Sequence, residues 1–450
     1  GGSVSAQQPG APAQQPGASA QPPGPPPANA ITLDRAVQIA LERNYDLLRT
    51  QYQAQSAEQD VVTARAQILP RLDFNASFSD TRQGGGIFQG TFTDQNTGET
   101  VSQFSQFDIF RTYAGSLQLS QLLFDGGKWW NNLAAANLSL ASSRAGVDEQ
   151  RLTTIFTVEQ RFYELVRQQR QLKVLGDAAT RSRDQAEFTQ RLFEGGRATQ
   201  ADVYAARANR DNDEINRLGQ EARVELARQD LAVSIGLDPA EPLAIVEPDA
   251  MQREPARAPP AQETVQKALA QRPSLKAFAL TADAQRKTAA AAKGDYWPTL
   301  SLKASFGRSV RRAEDFTKPL TEAGTLTGGI FMTWNLFQGL GTDAAVDKAQ
   351  VAVLLAENDL ENGRRGVASD VERAIAQLAV AGQQARIASQ TLVNANENLR
   401  LARTRQQVGV GTQLEVRDAE LKLTQSELAR ANALVNGHEA ESALRRATGG

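Results

Sequence analysis

The sequence predicts a mostly helical protein that also carries four β-strands and is built as two copies of one pattern. Two proline-free stretches, 129–236 and 338–450, are rich in Ala, Leu, Gln, Arg and Glu, which is the composition of long helices. Short segments that alternate apolar and polar residues with a period of two are typical of strands with one apolar face. Both kinds of segment occur twice, in the same order, which indicates an internal two-fold repeat.

The first strand of each copy follows a proline at the end of a helix. In ILPRLDFNASFS at 68–79, every second residue from Leu72 to Phe78 is apolar, and the residues between them are Asp, Asn and Ser. The same arrangement returns as YWPTLSLKASFG at 296–307. Second strands are predicted at about 114–124 and 326–337, the latter with a less regular alternation. Each half is therefore predicted as helix, strand, loop, strand, long helix, glycine-containing turn and helix.

The repeat is visible as two different offsets along the chain. Pro70 and the ASF triplet that follows it match Pro298 and its own ASF triplet, an offset of 228 residues. After the second strand, LFDG at 123–126 matches LFQG at 336–339, an offset of 213 residues. The second copy therefore lacks about 15 residues between its paired strands, which predicts variable loops there because loops absorb length changes most easily. These loops are expected at about 80–112 and 308–324.

The distribution of prolines divides the chain into segments. Residues 1–30 contain eight prolines and no charge, which predicts a disordered or polyproline-like tail. Residues 237–262 contain six more and are predicted to form an extended linker. The first repeat then occupies 31–236 and the second repeat occupies 263–450.

The long helices carry apolar residues at every seventh position. A helix from Trp130 to Phe193 would span ~95 Å at 1.5 Å per residue, too long for a lone rod in a globular domain. A sustained heptad indicates coiled-coil packing against neighbouring helices, and an ordinary helical bundle is the alternative. The heptad positions are Val158, Leu165, Leu172, Ala179, Ala186 and Phe193, with Val371, Leu378, Ala385, Leu392 and Leu399 in the second copy.

The predicted strands have the ~9–11 residues that a membrane-crossing β-strand needs. A barrel in lipid cannot leave an open edge, and the smallest such barrels have about eight strands. Four strands would therefore close only in an oligomer, two or three copies giving eight or twelve strands. The alternative is a small soluble sheet that caps a helical bundle. The tryptophans lie at or near strand ends, where interfacial aromatic girdles form, although a buried role is also open for them: Trp129, Trp130, Trp297 and Trp334.

Composition argues against several functional classes. The chain has 49 basic and 51 acidic side chains and no basic stripe, so we expect no nucleic-acid partner. There is no Cys, and the single histidine, His438, is expected to be solvated. One His without Cys cannot build a His-based triad or a typical zinc site. We therefore expect no enzyme activity, no cofactor and no metal site.

Taken in order, these segments resemble the TolC-type outer membrane efflux proteins over about 31–450. The resemblance rests on the duplicated plan, the P-x-L strand entries and several short segments: ALERNYDLL (40–48), ALAQRPSL (268–275), LFDGG (123–127), LFQGL (336–340) and GVGTQLEV (409–416). It implies a homotrimer in which four strands per chain form one twelve-stranded transmembrane β-barrel. It also implies that coiled-coil helical hairpins continue the channel as a periplasmic α-barrel.

The resemblance implies the function of an exit duct in a tripartite efflux or type I secretion system. Its partners would be a periplasmic adaptor, an inner-membrane transporter of the RND, ABC or MFS type, and outer membrane lipid. The expected location is the outer membrane of a Gram-negative bacterium, with an extension into the periplasm. The alternative is a periplasmic coiled-coil structural or adaptor protein that does not span the membrane. An adaptor would need one hairpin flanked by β-rich domains, whereas this chain has two hairpins and four strands.

The resemblance also places functional residues at the two turns between paired helices. Glycines end the long helices there and permit a left-handed backbone. In the family's plan both turns lie at the periplasmic tip, where an adaptor docks. The tip residues are Gly195, Gly196 and Thr199 in the first copy and Gly409, Gly411 and Thr412 in the second.

Acidic residues follow both turns. Thr412 with Glu415 fits a capping box, and Thr199 with Asp202 is a weaker version of it. Capping does not account for Asp418, which lies one turn after Glu415 on the same helix face. The spacing T-x-x-E-x-x-D resembles the family's paired acidic residues, which ring the closed periplasmic entrance. Glu415, Asp418 and Asp202 are therefore predicted as gate residues.

Overall fold

A computed structural model describes residues 30–83, 91–93, 97–98, 100–102, 108–317 and 324–450. Within these residues the helices are α1 (Leu33–Arg43), α2 (Tyr45–Ala66), α3 (Lys128–Glu194), α4 (Gln200–Ser234), α5 (Ala261–Gln271), α6 (Pro273–Ala292), α7 (Gly341–Gln407) and α8 (Gln413–Thr448). The strands are β1 (Ala30–Ile31), β2 (Arg71–Gln83), β3 (Thr91–Thr93), β4 (Thr100–Ser102), β5 (Asp108–Phe124), β6 (Ala244–Ile245), β7 (Thr299–Val310) and β8 (Gly324–Thr333). The predicted tail, apart from Ala30, lies outside the described residues.

Helices α3 and α7 have 67 residues each, which corresponds to ~100 Å of helix. Each forms a long hairpin with the helix that follows it, α3 with α4 and α7 with α8, and α6 packs against both long helices. In the described part of the chain, no helix is both long enough and apolar enough to cross a membrane.

The heptad prediction is confirmed for most positions. Val158 and Leu165 are buried in the largest core cluster, which also takes in residues of α1 and α4. Val371 and Leu378 are buried at the matching positions of α7. Phe193 is the exception: it is exposed in the last turn of α3, where the hairpin ends and no neighbouring helix covers it.

Four of the strands form one antiparallel sheet in the order β2-β5-β7-β8. The β2–β5 hairpin belongs to the first copy and the β7–β8 hairpin to the second, and the two join through β5 and β7. The strands reach further into the predicted loops than expected, to Gln83 and Val310. The remaining loop residues 84–90, 94–96, 99, 103–107 and 318–323 lie outside the described residues.

The last strand ends earlier than predicted, at Thr333 rather than Phe337. Thr333 pairs with Thr299, the first residue of β7. The residue before Thr299 is Pro298, which has no backbone N–H to donate to a further strand residue. The alternation of Trp334, Leu336 and their neighbours therefore continues past the end of the strand.

The predicted linker 237–262 connects the last helix of the first repeat to α5 and is anchored to the first repeat on the way. Its Ala244–Ile245 strand pairs in parallel with Ala30–Ile31 at the start of the first repeat. A short 3₁₀ turn, Asp249–Gln252, then places Met251 in the main core cluster. These contacts hold the segment against β1 and the main core cluster.

His438 is buried, so the expectation that it is solvated was wrong. Its Nδ1 lies 3.1 Å from a carboxylate oxygen of Glu441, and its ring centroid lies 6.3 Å from that of Tyr163. The prediction was based on the polar neighbours of His438 in the sequence, whereas this face of α8 packs against α3.

Candidate functional site

The two hairpin turns lie at the glycines that the sequence indicated. The first turn joins Glu194 to Gln200 and the second joins Gln407 to Gln413. Gly196 and Gly409 adopt the left-handed backbone that was predicted, with φ of 72° and 80°. Gly195 has a φ of −84°, so Gly196 is the left-handed glycine of the first turn. Gly411 is also outside the left-handed group.

Gly411 is small for a different reason, a close approach of the backbone. A Cβ atom at this position would lie 2.9 Å from the Arg405 Cβ and 2.9 Å from the Gln406 backbone N. The equivalent atom at Gly195 would lie 3.5 Å from its nearest neighbour, the Arg191 carbonyl oxygen, which is an ordinary contact. Gly411 is therefore required for the second turn to close, whereas Gly195 is not required by space.

The complete capping box lies at the first turn, whereas the sequence suggested it at the second. The Thr199 hydroxyl accepts from the Asp202 backbone N–H at 3.2 Å, and the Asp202 carboxylate accepts from the Thr199 backbone N–H at 2.9 Å, which makes a complete box. The hydrogen bonds from Thr199 lower the pKa of Asp202. Thr412 accepts from the Glu415 backbone N–H at 3.2 Å, but the Glu415 carboxylate lies 3.5 Å from the Arg405 Nε instead. Because the Glu415 carboxylate faces Arg405, it does not accept from the Thr412 backbone N–H, which is the second bond of a capping box.

Both acidic residues predicted for the second tip have a cationic neighbour on the same hairpin. Glu415 faces Arg405 across the turn, and Asp418 accepts from the Lys422 Nζ at 2.6 Å within α8. All four side chains remain substantially exposed to solvent. Exposed ion pairs of this kind are weak and screened by salt. The carboxylates are thus partly compensated within the chain, and their role as a gate remains a prediction.

A stronger contact, which sequence reasoning missed, joins the two hairpins near the tip. Arg417 of α8 donates to both carboxylate oxygens of Asp213 on α4, at 2.7 and 3.1 Å. Both side chains are largely buried. The hydrogen bond that Arg417 donates to Asp213 raises the pKa of Arg417 further above its usual range. The two residues are 204 positions apart, and no spacing in the sequence pairs them.

Next to this pair lies a cavity of about 480 Å³ between α3, α4 and α8. Glu420 is only 3% exposed there, and it accepts a 2.9 Å hydrogen bond from Arg403. Burial raises the pKa of Glu420, although the nearby guanidinium groups oppose that shift. Arg181 crosses from α3 to Thr424 and Glu427 of α8 at 2.9 and 3.0 Å. Charged contacts therefore bridge the two hairpins on this side.

The four-stranded sheet has two chemically different faces. Its strand register places apolar residues in rows on one face: Leu72, Leu119 and Ala304 in one row and Phe74, Leu117, Phe306 and Leu326 in the next. The other face carries rows of small polar residues: Asp73, Gln118, Ser305 and Thr327, then Asn75, Ser116, Gly307 and Thr325. Phe74 and Leu326 are 71% and 76% exposed in the single chain. An exposed apolar patch of this kind marks an interaction surface.

The four tryptophans lie where the sheet meets the helices. Trp130, Trp297 and Trp334 are exposed, and the Trp334 indole N–H donates to the Tyr296 carbonyl at 3.1 Å. Trp129 is only 6% exposed, so its ring packs inside the chain. The membrane-interface role therefore remains a prediction, carried by the other three rings. In the residues that the structure describes, no group of three or more His, Asp or Glu could hold a metal ion.

A family model described as "Outer membrane efflux protein" matches residues 36–237 and 264–450. The chain belongs to this family. This efflux protein is 24% identical over 401 residues to the alkaline protease secretion protein AprF of Pseudomonas aeruginosa, covering 88% of this chain and 80% of AprF. It is 23% identical over 388 residues to the outer membrane protein TolC of Vibrio cholerae, covering 85% of this chain and 83% of TolC. Its fold matches the CmeC outer membrane channel of Campylobacter jejuni with a TM-score of 0.76 at 17% identity, covering 93% of this chain and 85% of CmeC.

Membership of the family confirms the resemblance that the sequence carried. This efflux protein is an exit duct of the outer membrane, with a helical part that extends into the periplasm. The alternative of a periplasmic coiled-coil protein that never enters the membrane is thereby excluded.

Proposed function

We propose that this efflux protein is a homotrimeric duct in which three four-stranded sheets close into one twelve-stranded transmembrane barrel. A single observation carries the proposal: the sheet has one apolar face, one polar face and two edge strands, β2 and β8, whose outer edges pair with no other described strand. An open edge leaves backbone N–H and C=O groups without partners, which lipid does not supply. Pairing β8 of one copy with β2 of the next removes every edge and turns the apolar face outward.

The number of copies follows from the polar face. An eight-stranded barrel has an interior just wide enough for side chains to fill. The residues on the polar face, such as Ser116, Ser305 and Thr327, are too small to fill even that interior. Twelve strands would instead enclose an open aqueous lumen lined by these side chains. Three copies therefore fit the polar face better than two.

We propose the hairpin tips as the surface at which the duct meets a periplasmic adaptor, and through it an inner-membrane transporter. The second turn supports this because Val408, Val410 and Leu414 expose apolar side chains around Gly409 and Gly411. Exposed apolar side chains clustered at a turn are typical of a contact surface. The first turn, with Gly195, Gly196 and Thr199, would lie beside it. The relatives named for secretion favour a type I secretion partner, and a drug or metal efflux pump is the alternative.

We also propose Glu415, Asp418 and Asp202 as the ionic lining of the periplasmic entrance. In a trimer, Glu415 and Asp418 would contribute six carboxylates around one opening. Carboxylate rings favour cations and bind divalent ions that block current. Their neighbours Arg405 and Lys422 would limit the effect, because they compensate part of the charge.

Cross-linking at the sheet edges tests the trimer directly. The chain has no native cysteine, so introduced cysteines are the only thiols. Each variant carries two cysteines, Ser77→Cys in β2 and either Thr325→Cys or Thr327→Cys on the same face of β8. These variants should give covalent trimers on oxidation in detergent. The matched control pairs Ser77→Cys with Ser305→Cys, because β7 is an interior strand. Trimers from the β8 variants alone support the proposal, and a detergent-free monomer with native helix content would overturn it.

A further inference from the structure

The end of the polar face nearest the helices carries an unbalanced positive charge among the described side chains. Among its strand residues whose side chains the structure describes, the charged ones are Arg71, Asp73 and Lys303. Arg71 donates from its Nε to an Asp73 carboxylate oxygen at 3.0 Å, so these two charges compensate each other. Lys303 forms no ion pair with any residue in the described ranges. At the end of this face nearest the helices, each chain therefore contributes about one net positive charge from the residues that the structure describes.

The surroundings of Lys303 hold its ammonium group at the surface. Its direct neighbours across the sheet are Ser120 on β5 and Gly329 on β8, which are too small to cover it. The ammonium lies 5.6 Å from the centroid of the Phe331 ring, two residues along β8. An aromatic face attracts a cation without neutralising it. The ammonium N–H groups thus remain available to a ligand.

We propose that Lys303 and Phe331 form an anion-contacting collar in the lumen of the barrel, and that small anionic molecules are the class of solute it favours. The inference rests on the proposed function, because it needs three copies with their polar faces turned inward. Three ammonium groups would then lie at one level, in the part of the barrel nearest the helices, since Lys303 is the fifth residue of β7. The ammonium would attract a carboxylate, sulfate or phosphate group, and Phe331 would contact an apolar part of the same molecule.

This collar and the acidic residues at the tip would act independently. Helix α7, with 67 residues, separates the sheet from the second turn by ~100 Å. The Debye length at physiological ionic strength is ~8 Å. The duct would therefore have a cation-favouring entrance and, far from it, an anion-favouring collar.

The orientation of Lys303 is tested first, by cysteine chemistry in planar lipid bilayers. Lys303→Cys should react with a negatively charged, membrane-impermeant methanethiosulfonate reagent, with a step change in single-channel current. Leu302→Cys is the matched control, because the neighbouring residue lies on the apolar face and should not respond. A response of Leu302→Cys, or silence of Lys303→Cys, would overturn the assignment of the faces and with it the collar.

The charge is tested next, in the Glu415→Ala, Asp418→Ala background, so that the tip acids do not set the reversal potential. Lys303→Gln should lower the chloride-to-potassium permeability ratio about two- to fivefold, and Lys303→Glu should lower it further. Lys303→Arg keeps the charge and should match the background. Inorganic tripolyphosphate should reduce the current through the Lys303 channel, and Lys303→Gln should relieve that block. Unchanged selectivity and block in Lys303→Gln would overturn the collar, whereas a purified protein that forms no pores at all would instead refute the proposed duct.

Discussion

Arg417 and Asp213 join the two helical hairpins near their tips through a bidentate ion pair, with N–O distances of 2.7 and 3.1 Å. The pair is largely buried, so each charge depends on the other for its partner. Removing one member of a buried pair is costly because the remaining charge is left without compensation. The contact between α4 and α8 at the tip should therefore depend on both residues.

We expect Asp213→Ala and Arg417→Ala each to loosen the tip, and the double variant to cost less than the sum of the two. Hydrogen exchange of the amides at 405–417 measures this local opening, and the coupling should be about 1–3 kcal/mol. Arg210→Ala is the control, because Arg210 pairs with Asp211 on the exposed surface of the same helix and should change exchange very little. Additive effects of the two changes would show that the pair does not hold the hairpins together.

Substitutions at the acidic tip should change cation selectivity in opposite directions, depending on the charge that is removed. Replacing Glu415 and Asp418 with Ala should reduce cation selectivity and weaken block by multivalent cations from the periplasmic side. Replacing their neighbours Arg405 and Lys422 with Ala should have the opposite effect, because both carboxylates would lose the nearby positive charge. Single-channel reversal potentials in a salt gradient measure both changes.

The two pairs of variants decide between gating and capping. If the Glu415→Ala, Asp418→Ala protein kept full selectivity and block but melted at a lower temperature, Glu415 would serve only to cap α8, and the acidic gate would be abandoned. Asp202→Ala provides a comparison, because that carboxylate closes a complete capping box with Thr199. Its loss should leave ion selectivity less affected and lower the stability of the first turn of α4.

The two turns should differ in their tolerance of a methyl group. Gly411→Ala would bring Cβ to 2.9 Å from atoms of Arg405 and Gln406, so the turn must shift to accommodate it. Gly195→Ala meets only ordinary contacts at a negative φ and should be nearly neutral. Limited trypsin cleavage after Arg405, followed by mass spectrometry, should be at least several-fold faster in Gly411→Ala than in Gly195→Ala. Equal rates in the two variants would refute the requirement for glycine at position 411.

Local patterns in the sequence were enough to predict the elements of this fold. Period-two alternation located four strands, and proline at positions 70 and 298 marked where each first strand begins. Glycines located both hairpin turns, because a left-handed residue is needed at Gly196 and Gly409. These features depend on residues that are close in the chain, which is why a single sequence is enough to predict them.

Contacts between distant side chains could not be predicted in this way. Nothing near Arg417 in sequence indicates a partner on α4, and nothing near His438 indicates that this face of α8 lies against Tyr163. The choice between capping boxes also depended on a distant side chain, since Arg405 engages Glu415 from across the turn. Such pairings are set by how the hairpins pack. Hydrophobic periodicity predicts which face of a helix is buried, but it does not predict which residues of other helices contact that face.

The internal repeat leads to a last prediction, at the joint where each copy begins. Asn44 and Arg272 occupy matching positions, and each binds the C-terminal end of the last helix in its own copy. The Asn44 amide donates to the Ser234 carbonyl at 3.0 Å, and Arg272 donates to the Arg446 and Ala447 carbonyls at 3.0 and 3.1 Å. Arg272 is buried and also donates to Glu149 of α3 at 2.7 Å.

Arg272→Ala should therefore destabilise the chain more than Asn44→Ala, because it removes the guanidinium that binds the Glu149 carboxylate and two helix-end carbonyls at once. We expect a loss of about 3–5 kcal/mol for Arg272→Ala, against about 1–2 kcal/mol for Asn44→Ala, which removes one carbonyl contact and the cap of α2. Thermal unfolding in detergent, followed by circular dichroism at fixed protein concentration, measures the order. Arg272→Lys should fall between Arg272→Ala and the unmodified protein, since it keeps the charge but lacks the fork of donors that reaches Glu149 and the carbonyls together. Equal melting temperatures for Arg272→Ala and Asn44→Ala would mean that the guanidinium adds nothing to the simpler amide contact of the first copy.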